Sequence, residues 1–233
     1  MRIATPTEIE EIAWEGPLEP PAVAKAIGKD VRPVAAIGKP EVWESAKALE
    51  NEVNRVWTPP LSGASFWLVR LACTLRKPAS LVDISEVEQA LYLRPKNRQA
   101  KADSTYAYSL FPDRLTAESK TEFTVNLGPA LKFGEAEFNL GGAGATIEYR
   151  KVYPVIQSYG AGSPSPYWLF KPHAAHPLEG DQFVYAVLAA QQDAGGIRVS
   201  LDLKVTIETG LGPFKFALPD KARANLSFTV PMN

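Results

Sequence analysis

Residues 197–207 read Ile-Arg-Val-Ser-Leu-Asp-Leu-Lys-Val-Thr-Ile. Ile197, Val199, Leu201, Leu203, Val205 and Ile207 take every second position, with Arg198, Ser200, Asp202, Lys204 and Thr206 between them. Strand side chains alternate between two faces, so a period of two predicts one apolar face and one wet face. Six such side chains, at ~1.5–3 kcal/mol each when fully buried, fix the register against a core. A slip by one residue would bury Asp202 and Lys204 instead. A single wet face points to an antiparallel sheet, because strands of parallel α/β folds are covered on both sides.

Working outward, the pattern recurs. Trp67, Val69, Leu71, Cys73 and Leu75 alternate with Leu68, Arg70, Ala72, Thr74 and Arg76. Phe123, Val125 and Leu127 alternate with Glu122, Thr124 and Asn126, and Leu226, Phe228 and Val230 repeat the spacing near the C-terminus. Residues 183–190 are apolar on both faces, which predicts a central strand with a cover on its second side. Asp193-Ala194-Gly195-Gly196 then predicts a hairpin turn into the strand at 197–208. Residues 84–94 carry both a capping box (Ser85, Glu88) and an alternation (Val87, Leu91, Leu93), and the alternation favours a strand. Glycines between short apolar runs mark turns. The fold expected is mainly β: an antiparallel two-sheet β-sandwich of about nine or ten strands.

The N-terminal part reads differently. Pro17, Pro20, Pro21, Pro33 and Pro40 suggest an extended Pro-rich arm. Val42, Ala46, Leu49, Val53 and Val56 follow steps of four and three, which predicts an amphipathic helix over 41–56. Pro40 suits its first position, and Glu41 and Glu44 suit its dipole. That helix is expected to dock on the sheets and to supply the missing cover. Residues 1–60 would then be arm plus helix packed on the main domain, and residues 61–233 the sandwich.

Lys and Arg total 25 against 26 Asp and Glu, a net charge of -1, which argues against a nucleic-acid coat or a polybasic membrane clamp. One cysteine forms no internal disulfide. The N-terminus lacks an apolar run, and 183–190 is far shorter than a membrane helix. A soluble cytoplasmic protein is the expectation, with no membrane partner.

Four features bear on function. Residues 157–182 hold glycines, prolines and the aromatics Tyr159, Tyr167, Trp168 and Phe170. Exposed rigid aromatics suit a contact surface, and the same residues equally fit a strand closing the core. His173, His176, Glu179 and Asp181 offer metal-ligand chemistry, with His173, His176 and Asp181 as the ligand set, although Pro172 and Pro177 leave no helix to bring the histidines together. Arg94, Lys96, Arg98 and Lys101 form a basic loop near Tyr92, Tyr106 and Tyr108, which could hold nucleic acid, be a hydrated turn, or pair with the acidic N-terminal arm. Cys73 sits on the apolar face of its strand, where its thiol is inert. The glycine clusters at 141–144 and 160–163 precede strand-like segments, so they read as turns and not phosphate loops.

No nucleophile elbow or acid–base pair stands out. The expected function is a non-enzymatic binding module that contacts another protein or a small ligand through loop 157–182, without a cofactor. The alternatives are a metal-dependent enzyme built on His173 and His176, and nucleic-acid binding through 94–101.

Overall fold

The computed structural model describes residues 2–4, 8–20, 32–44, 63–76, 83–115, 122–126, 133–135, 144–148, 155–173, 178–209 and 212–231. In chain order the first strands are β1 (Arg2–Ala4), β2 (Ile12–Pro17), β3 (Val34–Gly38), β4 (Glu41–Glu44), β5 (Ala64–Arg76) and β6 (Asp83–Pro95). Next come β7 (Thr105–Phe111), β8 (Arg114–Leu115), β9 (Glu122–Asn126), β10 (Phe133–Glu135) and β11 (Gly144–Glu148). The last are β12 (Val155–Tyr159), β13 (Tyr167–Lys171), β14 (Gly180–Gln191), β15 (Gly196–Thr209) and β16 (Gly212–Ala217). A short helix, α1 (Asp220–Asn225), leads into β17 (Phe228–Pro231).

Two large antiparallel sheets build the sandwich. One runs β16-β15-β6-β13-β12-β8, with β17 also on β15; the other runs β2-β3-β5-β14-β7, with β4 also on β5. Side chains from both merge in one apolar core. All six alternating residues of β15 lie in it, from Ile197 to Ile207, none more than 1% exposed. Residues 84–94 are strand, as the alternation predicts. The chain is a mainly β, two-sheet sandwich.

Three local expectations change. The turn at 193–196 does not close a hairpin: β14 belongs to the six-stranded sheet and β15 to the seven-stranded one, so the turn carries the chain across the sandwich. Gly195 and Gly196, at φ 64° and 116°, permit that reversal without a Cβ penalty.

The expected helix over 41–56 begins instead as strand. β4 pairs with β5, Glu41 opposite Arg70 and Trp43 opposite Leu68, and residues 45–56 lie outside the described residues. Glu41 and Trp43 are two apart, hence on one face of a strand, and both reach Arg70. Glu41 accepts from its guanidinium, and the Trp43 ring lies 5.5 Å from it. Arg70 is only 8% exposed, and satisfying that charge outweighs the helical spacing of the apolar residues. The second face of β5 and β14 is met in part by Ile9 and Trp43, which pack against the core. β2, β3 and β4 are thus hydrogen-bonded members of the six-stranded sheet, and the boundary expected near residue 60 lies outside the described residues.

The third change is at Asp202, expected on the wet face and found 4% exposed. β17 pairs with β15 at 196–199 and β16 at 204–209, which leaves an interval along the same edge. The chain from Leu218 through α1 fills it: Leu218 N–H donates to Leu203 O at 3.1 Å. The Leu203 N–H, facing the same interval, donates to Asp202 Oδ1 at 3.0 Å.

A smaller sheet stands apart from these two in pairing, ordered β1-β11-β9-β10. It comes from the stretch 116–154 between β8 and β12, with β1 added in parallel.

Candidate functional site

Within 157–182, the stretch expected as a contact surface, residues 160–166 are stitched to both large sheets. Pro166 O and Pro164 O accept from Leu91 and Leu93 N–H of β6, and Ser163 O accepts from Ala107 N–H of β7. Gly162 N–H returns a 2.7 Å bond to Ala107 O. Gly160 and Gly162 both have φ 81°, the conformation that lets the loop fold back. Trp168 and Phe170 face inward from β13 and are fully buried, so the core placement is the one realised. Tyr159 and Tyr167, cross-strand partners, stack on each other at 4.9 Å and are half-buried.

His173 is exposed, and His176 lies outside the described residues. Asp181 is committed elsewhere: it accepts from the Ile9 N–H at 2.9 Å and from the Thr74 hydroxyl. Among the described residues no three His, Cys, Asp or Glu side chains stand together as a ligand set. Cys73 is fully buried, and burial, with Asp181 nearby, pushes its thiol up to about 12.

The basic residues divide. Arg70 pairs with Glu41 and Arg76 Nη1 lies 2.8 Å from Glu15 Oε1, so these two do meet the acidic N-terminal part. Arg94, Lys96, Arg98 and Lys101 are exposed and have no such partner among the described residues. Their loop rests on the 192–196 turn: Lys96 N–H donates to Gly196 O, Asn97 N–H to Ala194 O, and Asn97 Nδ2 to Asp193 O. Arg94 and Arg98 line a cleft of about 650 Å³ with Arg198, Ser200, Ser227, Phe228 and Thr229. Sequence reasoning missed Arg198 and the hydroxyls, because only the pairing of β15 with β6 and β17 brings them beside Arg94.

The small sheet has the more unusual register. Opposed positions in an antiparallel pair share a face. β9 and β11 therefore place Phe123 with Ile147 and Val125 with Ala145 on one face. Glu122 with Glu148, Thr124 with Thr146 and Asn126 with Gly144 share the other. β10 adds Phe133 opposite Val125, and β1 adds Ile3 opposite Ile147, both on the apolar side. The sequence displayed this alternation from Glu122 to Leu127 and again after the glycine cluster, where Ala145 and Ile147 alternate with Thr146 and Glu148, but not the pairing of the two.

No family model matches the chain, and no curated protein matches its sequence. Among solved structures it is similar to Clostridium perfringens delta-toxin at 9% identity and TM-score 0.44, over 94% of this chain and 90% of that one. It is similar to a pore forming protein at 7% identity and TM-score 0.42, over 82% and 88% of the two chains. The Clostridium perfringens NetB toxin in the membrane inserted form follows at 8% identity and TM-score 0.35, over 84% and 93%. Burial of Trp168 and Phe170 removes the contact surface on which the expected cytoplasmic protein-binding module with no membrane partner rested, and the similarities found are to toxins and a pore forming protein rather than to such a module. No described helix is long and apolar enough to cross a membrane.

Proposed function

We propose that this chain inserts into membranes and assembles with copies of itself, the stretch 116–154 supplying two strands of a shared β-barrel. What supports this is the register of β9 on β11, with an apolar face of Phe123, Val125, Ala145 and Ile147 and a polar face of Glu122, Thr124, Thr146 and Glu148. A membrane strand needs ~9–11 residues alternating apolar and polar, one face to lipid and one to water. The sequence flanking β9 and β11, from 117 to 127 and from 143 to 153, provides that length on each side. One chain brings only two strands, while the smallest membrane barrels close with about eight. Unpaired edges are not tolerated in lipid, so closure requires further copies. In the present arrangement β1 and β10 occupy the outer edges of β11 and β9. Joining a barrel would release them.

Dye release from vesicles of phosphatidylcholine and cholesterol tests the reading. Val125→Glu puts a charge on the lipid face and abolishes release, while Thr124→Glu, on the water face, keeps most of it. Equal loss, or no release from the unaltered protein at any concentration, contradicts the proposal.

A further inference from the structure

The arginine cleft at the far end of the seven-stranded sheet has a charge arrangement the fold does not neutralise. Arg198 of β15 stands directly opposite Arg94 of β6 on one side and Thr229 of β17 on the other. Like charges at opposed positions destabilise a sheet. Arg98 joins them from the loop, and among the described residues no carboxylate lines the cleft. Three other arginines are matched: Arg70 to Glu41, Arg76 to Glu15 and Arg223 to Asp202. Arg198 is held in place from behind, its Nη2 donating to Pro95 O at 3.2 Å and Lys96 O at 3.1 Å. The Ser200 and Ser227 hydroxyls, 3.2 Å apart, and Thr229 lie beside it.

We propose that this cleft binds a small soluble ligand carrying a phosphate or sulfate group. Guanidinium groups chelate tetrahedral oxyanions through paired N–H donors, and hydroxyls such as that of Thr229 take remaining oxygens. The volume of about 650 Å³ accommodates such a group with the body of a sugar-sized molecule. The cleft's place argues for a soluble source over a lipid headgroup. The stretch 116–154 leaves and rejoins the sandwich beside Leu115 and Ile156, level with Phe170 and Val87. Arg94 lies about seven residues along β6 from Val87, ~23 Å away at strand spacing, so the cleft opens to water on a surface remote from that root. The choice of a soluble source rests on the proposed membrane role of 116–154, while the anion chemistry of the cleft does not.

Titration calorimetry of the full chain at low salt tests it, with inorganic phosphate, inorganic sulfate and glucose 6-phosphate as probes and flotation with phosphatidylserine vesicles as the lipid arm. Saturable binding of at least one soluble probe is expected, weakened about tenfold or more in Arg94→Gln/Arg98→Gln and unchanged in Arg76→Gln. Both substituted arginines are exposed, so the variant keeps its melting temperature without ligand and loses the rise that ligand produces. Absence of saturable binding to every soluble probe, equal binding by variant and parent, or binding to phosphatidylserine vesicles alone overturns the proposal.

Discussion

Arg223 Nε lies 3.1 Å from Asp202 Oδ1, pairing a half-buried guanidinium with a carboxylate that is almost wholly enclosed. The N–H is not aligned on that oxygen, since Arg223 Nε completes no hydrogen bond, and Nη2 instead donates to Leu218 O at 3.1 Å. Asp202 gains its bond from the Leu203 N–H. Burial raises the Asp202 carboxyl above its ordinary range, and Arg223 and Lys204 pull it back only in part.

That shift sets a pH dependence. With its native pKa above the unfolded value of about 4, Asp202 holds its proton more firmly in the folded chain. Its contribution to stability is therefore fully present below pH ~4 and is lost as pH rises through the native pKa. Asp202→Asn stays neutral throughout. Urea melts of both proteins across this window should show the variant's relative stability climbing with pH, and a flat or falling difference would refute the assignment.

Trp168 separates a core residue from a contact residue. It is fully buried in β13 beside Gln89 and Ser158, its register neighbours. Trp168→Ala should cost about 3–5 kcal/mol in equilibrium unfolding and Trp168→Phe clearly less. A cost near zero would place the ring outside the core.

Glu41 holds β4 onto β5 through Arg70. Glu41→Gln takes the Glu41 counter-charge from a nearly buried guanidinium, and since Glu41 itself is about half exposed the expected loss is about 1–3 kcal/mol. Adding Arg70→Met should recover part of it, because the nearly buried charge is then gone. A double variant less stable than Glu41→Gln would contradict this.

How much of this was legible in the sequence depended on where the deciding partner lay. β15 declared itself, because six apolar residues at period two need only their own strand to be read. The helix over 41–56 did not hold at its start, since its apolar spacing was real but Arg70, on a distant strand, recruited Glu41 and Trp43. Asp202 looked like a surface residue until α1, distant in sequence, came to cover it. In the cleft, Arg94 and Arg98 stood out as part of a basic run, while Arg198 was hidden inside the alternation that identified its strand. Trp168 and Phe170 alternate with Tyr167 and Leu169, a pattern that fits a strand as well as an aromatic loop.

In an assembled barrel the polar face would line the channel, and Glu122 and Glu148 are directly opposed on it. Copies of that pair would form a ring of carboxylates, which favours cations. Reversal potentials in planar bilayers should show cation preference, lost or reversed in Glu122→Gln/Glu148→Gln. Unchanged selectivity would place these residues away from the conducting path.

The most direct measurement of the central claim labels single introduced cysteines at 122 through 126 and 144 through 148 with a polarity-sensitive fluorophore. Cys73, fully buried with its thiol pushed up to about 12, stays silent in the folded protein. With vesicles added, labels at 123, 125, 145 and 147 should shift to the blue and become quenchable from lipid, while those at 122, 124, 146 and 148 remain in water. A response without that period of two, or none at all in protein that has bound the vesicles, would contradict a membrane role for the ribbon.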